Sequence, residues 1–150
     1  MTAEVRLDVI VDAPVDVVFA AVTDWPGQAE WMLGTRVELR SGDGRSVGSE
    51  LVAWTGLGVG FWDTMVITRW DPPYRVDVLH TGAVVRGTGT MEVVALPGGR
   101  SRFVWSEELD LPLGVVGRFG WPVARPLFLA GVRRSLRAFA RWVESGSRTG

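Results

Sequence analysis

Apolar residues fall at every second position through most of this chain and at every third or fourth position near its end. Over residues 4–11, Val5, Leu7, Val9 and Val11 alternate with Glu4, Arg6 and Asp8, the pattern of a half-buried strand. Asp12-Ala13-Pro14 then starts a helix, with Asp12 or Ala13 as its cap and Pro14 near the first turn. Val15, Val18, Phe19 and Val22 follow at helical spacing, Asp24-Trp25-Pro26-Gly27 breaks that helix, and residues 28–33 form one more short turn ended by Gly34.

The period changes to two between residues 35 and 109. Val37 and Leu39 alternate with charged neighbours, and Ser41-Gly42-Asp43-Gly44 is a turn. Residues 47–55 and 61–70 read as strands joined by the glycine-rich stretch at 56–60, a mobile hairpin tip over the mouth of a pocket. Asp71-Pro72-Pro73 stops the second of them. Val76, Val78 and His80 share one face of the next strand, residues 84–96 form a long strand with Gly87 and Gly89 inside it, and residues 101–109 form the last. Interior glycines mark bends or close backbone contact, which a strongly curved sheet requires. Pro112-Leu113-Gly114 returns the chain toward a final helix.

That helix, over residues 121–144, is the longest periodic segment. Leu129, Val132, Leu136, Phe139 and Val143 form an apolar stripe, and Arg133, Arg137, Arg141 and Glu144 lie opposite. Pro122 fits a first turn, Pro126 kinks or restarts the helix, and Gly146 with the Ser/Thr/Gly tail ends it. At about 1.5 Å per residue it spans on the order of 35 Å. The expected order is therefore strand, two short helices, about six antiparallel strands and a long helix, in one domain over residues 1–150.

Composition narrows the function classes. With 47% apolar residues the chain is globular, and no run of about 18 apolar residues is long enough to cross a membrane, so stable membrane insertion is not expected. The alternating, charged first residues do not form a signal peptide. Cysteine is absent, which removes disulfides, thiolate nucleophiles and Cys-ligated zinc, and a cytoplasmic location is the default. All 16 basic residues are arginine, so lysine Schiff-base chemistry is excluded. A net charge of −1 gives no general attraction to nucleic acid. A single histidine and scattered carboxylates make no metal-ligand cluster, and no cofactor motif is present.

The chain resembles the START/Bet v 1-like (SRPBCC) superfamily, in particular its bacterial polyketide cyclase/dehydrase-like branch. The resemblance rests on Val9-Ile10-Val11-Asp12-Ala13-Pro14 with Val17-Val18-Phe19 behind it, Asp24-Trp25, Trp31, the turn Thr68-Arg69-Trp70-Asp71-Pro72-Pro73, and the end helix around Arg134-Ser135-Leu136. It covers essentially the whole chain. It implies an α+β helix-grip fold, with a curved antiparallel sheet of about seven strands wrapped around a long C-terminal helix, two short helices after the first strand, and a hydrophobic cavity. Members of the superfamily include lipid carriers, hormone receptors, ring-closing cyclases, ubiquinone-binding proteins and hydrolases, so the resemblance implies no single reaction.

Strand parity selects the candidate chemistry. On the last strand Phe103, Trp105, Glu107 and Leu109 share the more apolar face, and on the 61–70 strand Phe61, Asp63, Met65 and Ile67 share one. If these faces and that of His80 look inward, Asp63, His80 and Glu107 are ionisable groups in an apolar chamber, where burial shifts pKa values. His80 relaying a proton, oriented by Asp63 or Glu107, would make an acid/base site. The plain alternatives are a solvated or satisfied His80 near its strand end, and Asp63 and Glu107 paired with Arg86 or Arg69. Eight tryptophans are unusual, and Trp54, Trp62, Trp105 and Trp121 are candidates to line a cavity, although core packing accounts for many such rings.

Two motif matches are set aside. Gly44-Arg45-Ser46-Val47-Gly48 has the G-x-S-x-G spacing of a hydrolase elbow, but a turn precedes it and a strand follows. The glycines at 56, 58 and 60 open no helix, so they form no phosphate loop. The arginines at 133, 134, 137 and 141 read as a solvated helix face.

The expected function is binding of a hydrophobic small molecule, of lipid, polyketide or aromatic type, between sheet and end helix, by a monomer or homodimer. The expected wall is Trp54, Phe61, Met65, Val78, Met91, Trp105, Leu127 and Phe128, with Asp63, His80, Arg86 and Glu107 orienting the ligand. Two alternatives stand beside it. A cyclase or dehydratase would hold His80 within about 2.6–3.2 Å of Asp63 or Glu107 inside the cavity. A protein-partner module would show an exposed apolar patch larger than a few hundred Å² elsewhere.

Overall fold

A computed structural model describes residues 2–110 and 114–146. Seven antiparallel strands form one sheet in the order β1-β7-β6-β5-β4-β3-β2. They are β1 (Thr2–Val11), β2 (Thr35–Ser41), β3 (Glu50–Leu57), β4 (Val59–Asp71), β5 (Arg75–Thr81), β6 (Arg86–Leu96) and β7 (Arg100–Asp110). Between β1 and β2 lie α1 (Val15–Val22) and a 3-10 turn (Pro26–Glu30), and α2 (Gly114–Glu144) follows β7. The element order is the one that the alternation predicts, and the arrangement is the helix grip that the resemblance implies, with β1 placed beside the last strand rather than the next one.

The start of α1 differs from the expectation. Pro14, in extended conformation, is the residue before its first turn, and no side chain caps it. Asp12 is used differently: its backbone N–H donates to Glu144 Oε2 at 2.8 Å, tying the β1–α1 turn to the end of α2. Strand β3 starts at Glu50, after a bend in which Ser46 Oγ donates to Asp43 Oδ1 at 2.7 Å. The glycine-rich tip is tighter than expected, because pairing runs on to Leu57↔Val59 and leaves Gly58 alone at φ +85°. Gly56 and Gly60 face each other there, and a Cβ on Gly56 would stand 2.4 Å from the Val59 carbonyl oxygen.

The end helix begins at Gly114, seven residues before the expected start, so Pro122 and Pro126 are both interior to it. Both prolines lie on its exposed side, where water can satisfy the carbonyls that a missing N–H leaves free. The expected return at Pro112-Leu113 and the tail over residues 147–150 lie outside the described residues.

The apolar stripe of α2 packs onto the sheet as its spacing demands. Val132, Leu136, Phe139 and Val143 are buried, while Arg133, Arg137, Arg141 and Glu144 are exposed. Phe139 is the centre of an aromatic cluster, 4.8 Å from Trp31 and 4.9 Å from Phe103 between ring centroids. Such edge-on and tilted contacts add to the area each ring buries. From α1, Phe19 meets Trp70 at 5.3 Å. The cluster fills the interior under the last turns of α2. Under the middle of the helix, over residues 127–135, the space stays open.

Candidate functional site

A cavity of about 320 Å³ lies between the sheet and the middle of α2, over residues 127–135. Three sequence patterns build its wall. Strand β4 contributes Phe61, Asp63 and Met65, and β7 contributes Trp105, Glu107 and Leu109, each at a spacing of two. From α2 come Leu127, Gly131 and Ser135, at a spacing of four, with Phe128 and Val132. Gly131 presents no side chain, and a Cβ built there would meet only Leu33 Cδ2, at 3.9 Å. Ser135 Oγ accepts the Leu33 N–H at 2.9 Å and so holds the segment after the 3-10 turn against α2.

One part of this wall is polar. His80, buried on β5, has Nδ1 at 2.8 Å from Asp63 Oδ2 and Nε2 at 3.0 Å from Glu107 Oε2. The Trp105 indole N–H donates to the other Glu107 oxygen, Oε1, at 3.1 Å. Asp63 Oδ1 is buried and has no hydrogen-bond partner among the described residues. A neutral imidazole carries one N–H, so two carboxylates on opposite nitrogens require a second proton. Burial pulls the pKa of His80 down, but the hydrogen bonds that its ring donates to Asp63 and Glu107 and the charges of these carboxylates outweigh that effect and push it from 6.5 up to about 10. The ring is therefore an imidazolium clamped between two carboxylates at neutral pH. Among the described residues no group of His, Asp and Glu is arranged to hold a metal ion; here the carboxylates flank the ring instead of converging on a point.

The register explains how Glu107 reaches His80. Strand β6 lies between β7 and β5, with Gly89 paired to Glu107 on one side and to Val78 on the other, and Gly87 paired to His80. A Cβ on Gly89 would sit 3.3 Å from Glu107 Oε1 and 3.1 Å from Val78 Cγ2. Glycine at this position leaves the passage across β6 open.

Of the residues expected to form the wall, Phe61, Met65, Met91, Trp105, Leu127 and Phe128 line the cavity together with Asp63, His80 and Glu107. Three do not. Trp54 lies opposite Trp62 in the β3–β4 register and meets it at 5.3 Å on the other face of the sheet, where Trp62 is largely exposed, while its neighbours Ala53 and Thr55 face the cavity. Val78 points inward but is buried in the packed core against Gly89. Arg86 is exposed, because Gly87, Gly89 and Met91 occupy the inward parity of β6. Neither Arg86 nor Arg69 pairs with the site carboxylates, and Arg69 bonds Asp71 instead. Trp121 also stays outside the wall, tilted against Phe128 at 5.7 Å.

The alternation did not single out Gln28, Thr35, Thr55, Gly131 or Ser135, all of which line the cavity. For the last two a signal was present, since a glycine and a serine four residues apart interrupt an otherwise bulky helical stripe. Leu127 lines the cavity while remaining 78% exposed, so it stands at the mouth, and Phe119 and Val123 continue the same exposed helical row.

A family model described as polyketide cyclase / dehydrase and lipid transport matches residues 2–144. The chain belongs to that family. Membership is consistent with a ligand-binding or cyclase-type role and leaves the ligand open. No curated protein sequence matches the chain. Among solved structures it is similar to a protein of Thermus thermophilus, with a TM-score of 0.82 at 17% identity over 97% of this chain and 99% of that one. It is also similar to the Zhui aromatase/cyclase of Streptomyces sp. R1128, with a TM-score of 0.74 at 22% identity over 99% and 98%. The di-domain aromatase/cyclase StfQ of the steffimycin pathway gives a TM-score of 0.74 at 11% identity over 99% of this chain and 53% of that one. At these identities the likeness concerns the fold. No helix among the described residues is long and apolar enough to cross a membrane.

Proposed function

We propose that this family member binds a hydrophobic small molecule of lipid, polyketide or aromatic type in the cavity between the sheet and α2. The observation that carries the reading is a space of about 320 Å³, walled mainly by apolar and aromatic side chains, with its ionisable groups gathered on one part of the wall. That size and that division of surface suit a small ligand, whose apolar body is desolvated while a few polar groups orient it. The test is a plug. Gly131→Leu places a side chain into open space without touching the aromatic cluster, and replaces a residue of poor helix propensity. It is expected to keep or raise stability while abolishing both a ligand retained in native mass spectrometry and uptake of a neutral apolar fluorophore. Binding that survives the plug sinks the proposal.

A cyclase- or dehydratase-type reaction is the second reading, favoured by His80 lying within hydrogen-bond reach of both Asp63 and Glu107 on the cavity wall. In that reading the imidazolium supplies fixed charge near neutral pH, because a base must be unprotonated to act. Glu107, beside the cavity, is then the group to exchange a proton with substrate.

A further inference from the structure

The polar part of the wall carries a one-sided complement of hydrogen-bonding groups. The N–H donors beside the carboxylates are engaged within the protein, both His80 nitrogens with the two carboxylates and the Trp105 indole with Glu107. Gln28, elsewhere on the wall, spends one of its two amide N–H groups on the Val22 carbonyl oxygen at 3.1 Å. The acceptors retain capacity. A carboxylate offers about four lone-pair sites. Glu107 uses one on each oxygen and keeps the rest, whereas Asp63 Oδ1, although without a partner among the described residues, is buried and closed to a ligand.

Charge points the same way. With a proton in each of the two His80 contacts, one ring and two carboxylates sum to one negative charge, wherever along the two bonds the protons sit. No arginine is among the described wall residues, and the chain contains no lysine. A carboxylate or phosphate head brought here would meet a net negative cluster with its donors already engaged. A hydroxyl or ammonium head would meet free lone pairs.

We infer that the cavity selects ligands whose apolar body ends in a hydrogen-bond donor, a phenolic, enolic or alcoholic hydroxyl or an ammonium group, received by Glu107, and that it rejects carboxylate heads on the same body. This rests on the ligand-binding reading above and adds the chemistry of the head group to it. The choice is a difference in affinity built partly from repulsion.

The experiment uses the unmodified protein loaded with the neutral fluorophore N-phenyl-1-naphthylamine and displaces it at pH 7.5 with 1-decanol, decylamine or decanoate. Decanol and decylamine are expected to displace it at concentrations about tenfold or more below decanoate, the factor that one charge-assisted hydrogen bond supplies. In Glu107→Gln the preference for decylamine over decanoate is expected to shrink by about the same factor. Decanoate binding as well as decanol overturns the inference, and so does an unchanged ranking in a folded Glu107→Gln protein. If that variant does not fold, the ranking on the unmodified protein decides alone. Failure of the fluorophore and all three chains to bind overturns the ligand-binding reading itself, and the inference with it. Binding of all three chains without preference overturns only the inference.

Discussion

Glu107 on β7 meets His80 on β5 at 3.0 Å across the intervening strand β6, and Gly89 is the residue over which they meet. A Cβ at Gly89 would already press on Glu107 and on Val78. Gly89→Val is expected to push Glu107 off the ring and to cost about 1–3 kcal/mol, the usual range for overpacking. His80 is the chain's one histidine, so its NMR titration reads the effect directly. The variant should titrate at lower pH than the parent protein. An unchanged His80 titration would show that the contact does not depend on an open passage at Gly89.

Protonation of His80 ties stability to pH. Its folded pKa, about 10, lies above the ordinary 6.5, so the folded protein holds a proton that the unfolded chain releases within that window. The stabilisation is complete below pH 6.5, declines as pH rises toward 10 and is gone above it. The expected slope inside the window is about 1.4 kcal/mol per pH unit, the value for one proton. Denaturant midpoints at pH 6, 8 and 10 measure it, and a His80→Gln variant should be much flatter. Equal slopes in the two proteins would assign the pH dependence to other groups.

Removing the ring leaves two buried carboxylates facing an apolar space. His80→Ala is expected to lose about 3–5 kcal/mol at pH 7, the cost of breaking a buried charge cluster from one side. Adding Asp63→Asn to it should recover part of the loss, because one of the stranded charges goes with it. Urea unfolding of the single and double variants gives the comparison. Additive losses would mean that the cluster is not energetically coupled.

Phe139 closes the other end of the interior, fully buried against Trp31, Phe103 and Trp142. Phe139→Ala is expected to destabilise by about 3–5 kcal/mol, through lost transfer energy and the hole left behind. Calorimetry or denaturant unfolding measures this. A loss below about 1 kcal/mol would show that the cluster collapses readily around the gap.

The two halves of the interior were not equally legible. Strand parity put Asp63, His80 and Glu107 on one face, because a period of two is a local property of extended backbone. It also identified Phe61, Met65 and Trp105. Trp54 is ambiguous in the sequence because a large aromatic ring reads as apolar on either side of a sheet, and only the pairing with Trp62 shows which side it takes. Arg86 and Met91 lie five residues apart and cannot share a face of one strand, so with Met91 inward beside Gly87 and Gly89 the arginine points out.

Alternation and helical spacing, both local, determined the strands and the long amphipathic helix, and the resemblance carried by short stretches such as residues 9–14 and 68–73 pointed to the family. Tertiary structure alone decided that β1 pairs with β7, that α2 seals one end of the interior with aromatic rings and leaves the other hollow, and that an imidazole is held between carboxylates from two other strands. Those outcomes depend on register and on volumes contributed by residues far apart in the chain. No window of neighbouring residues contains them.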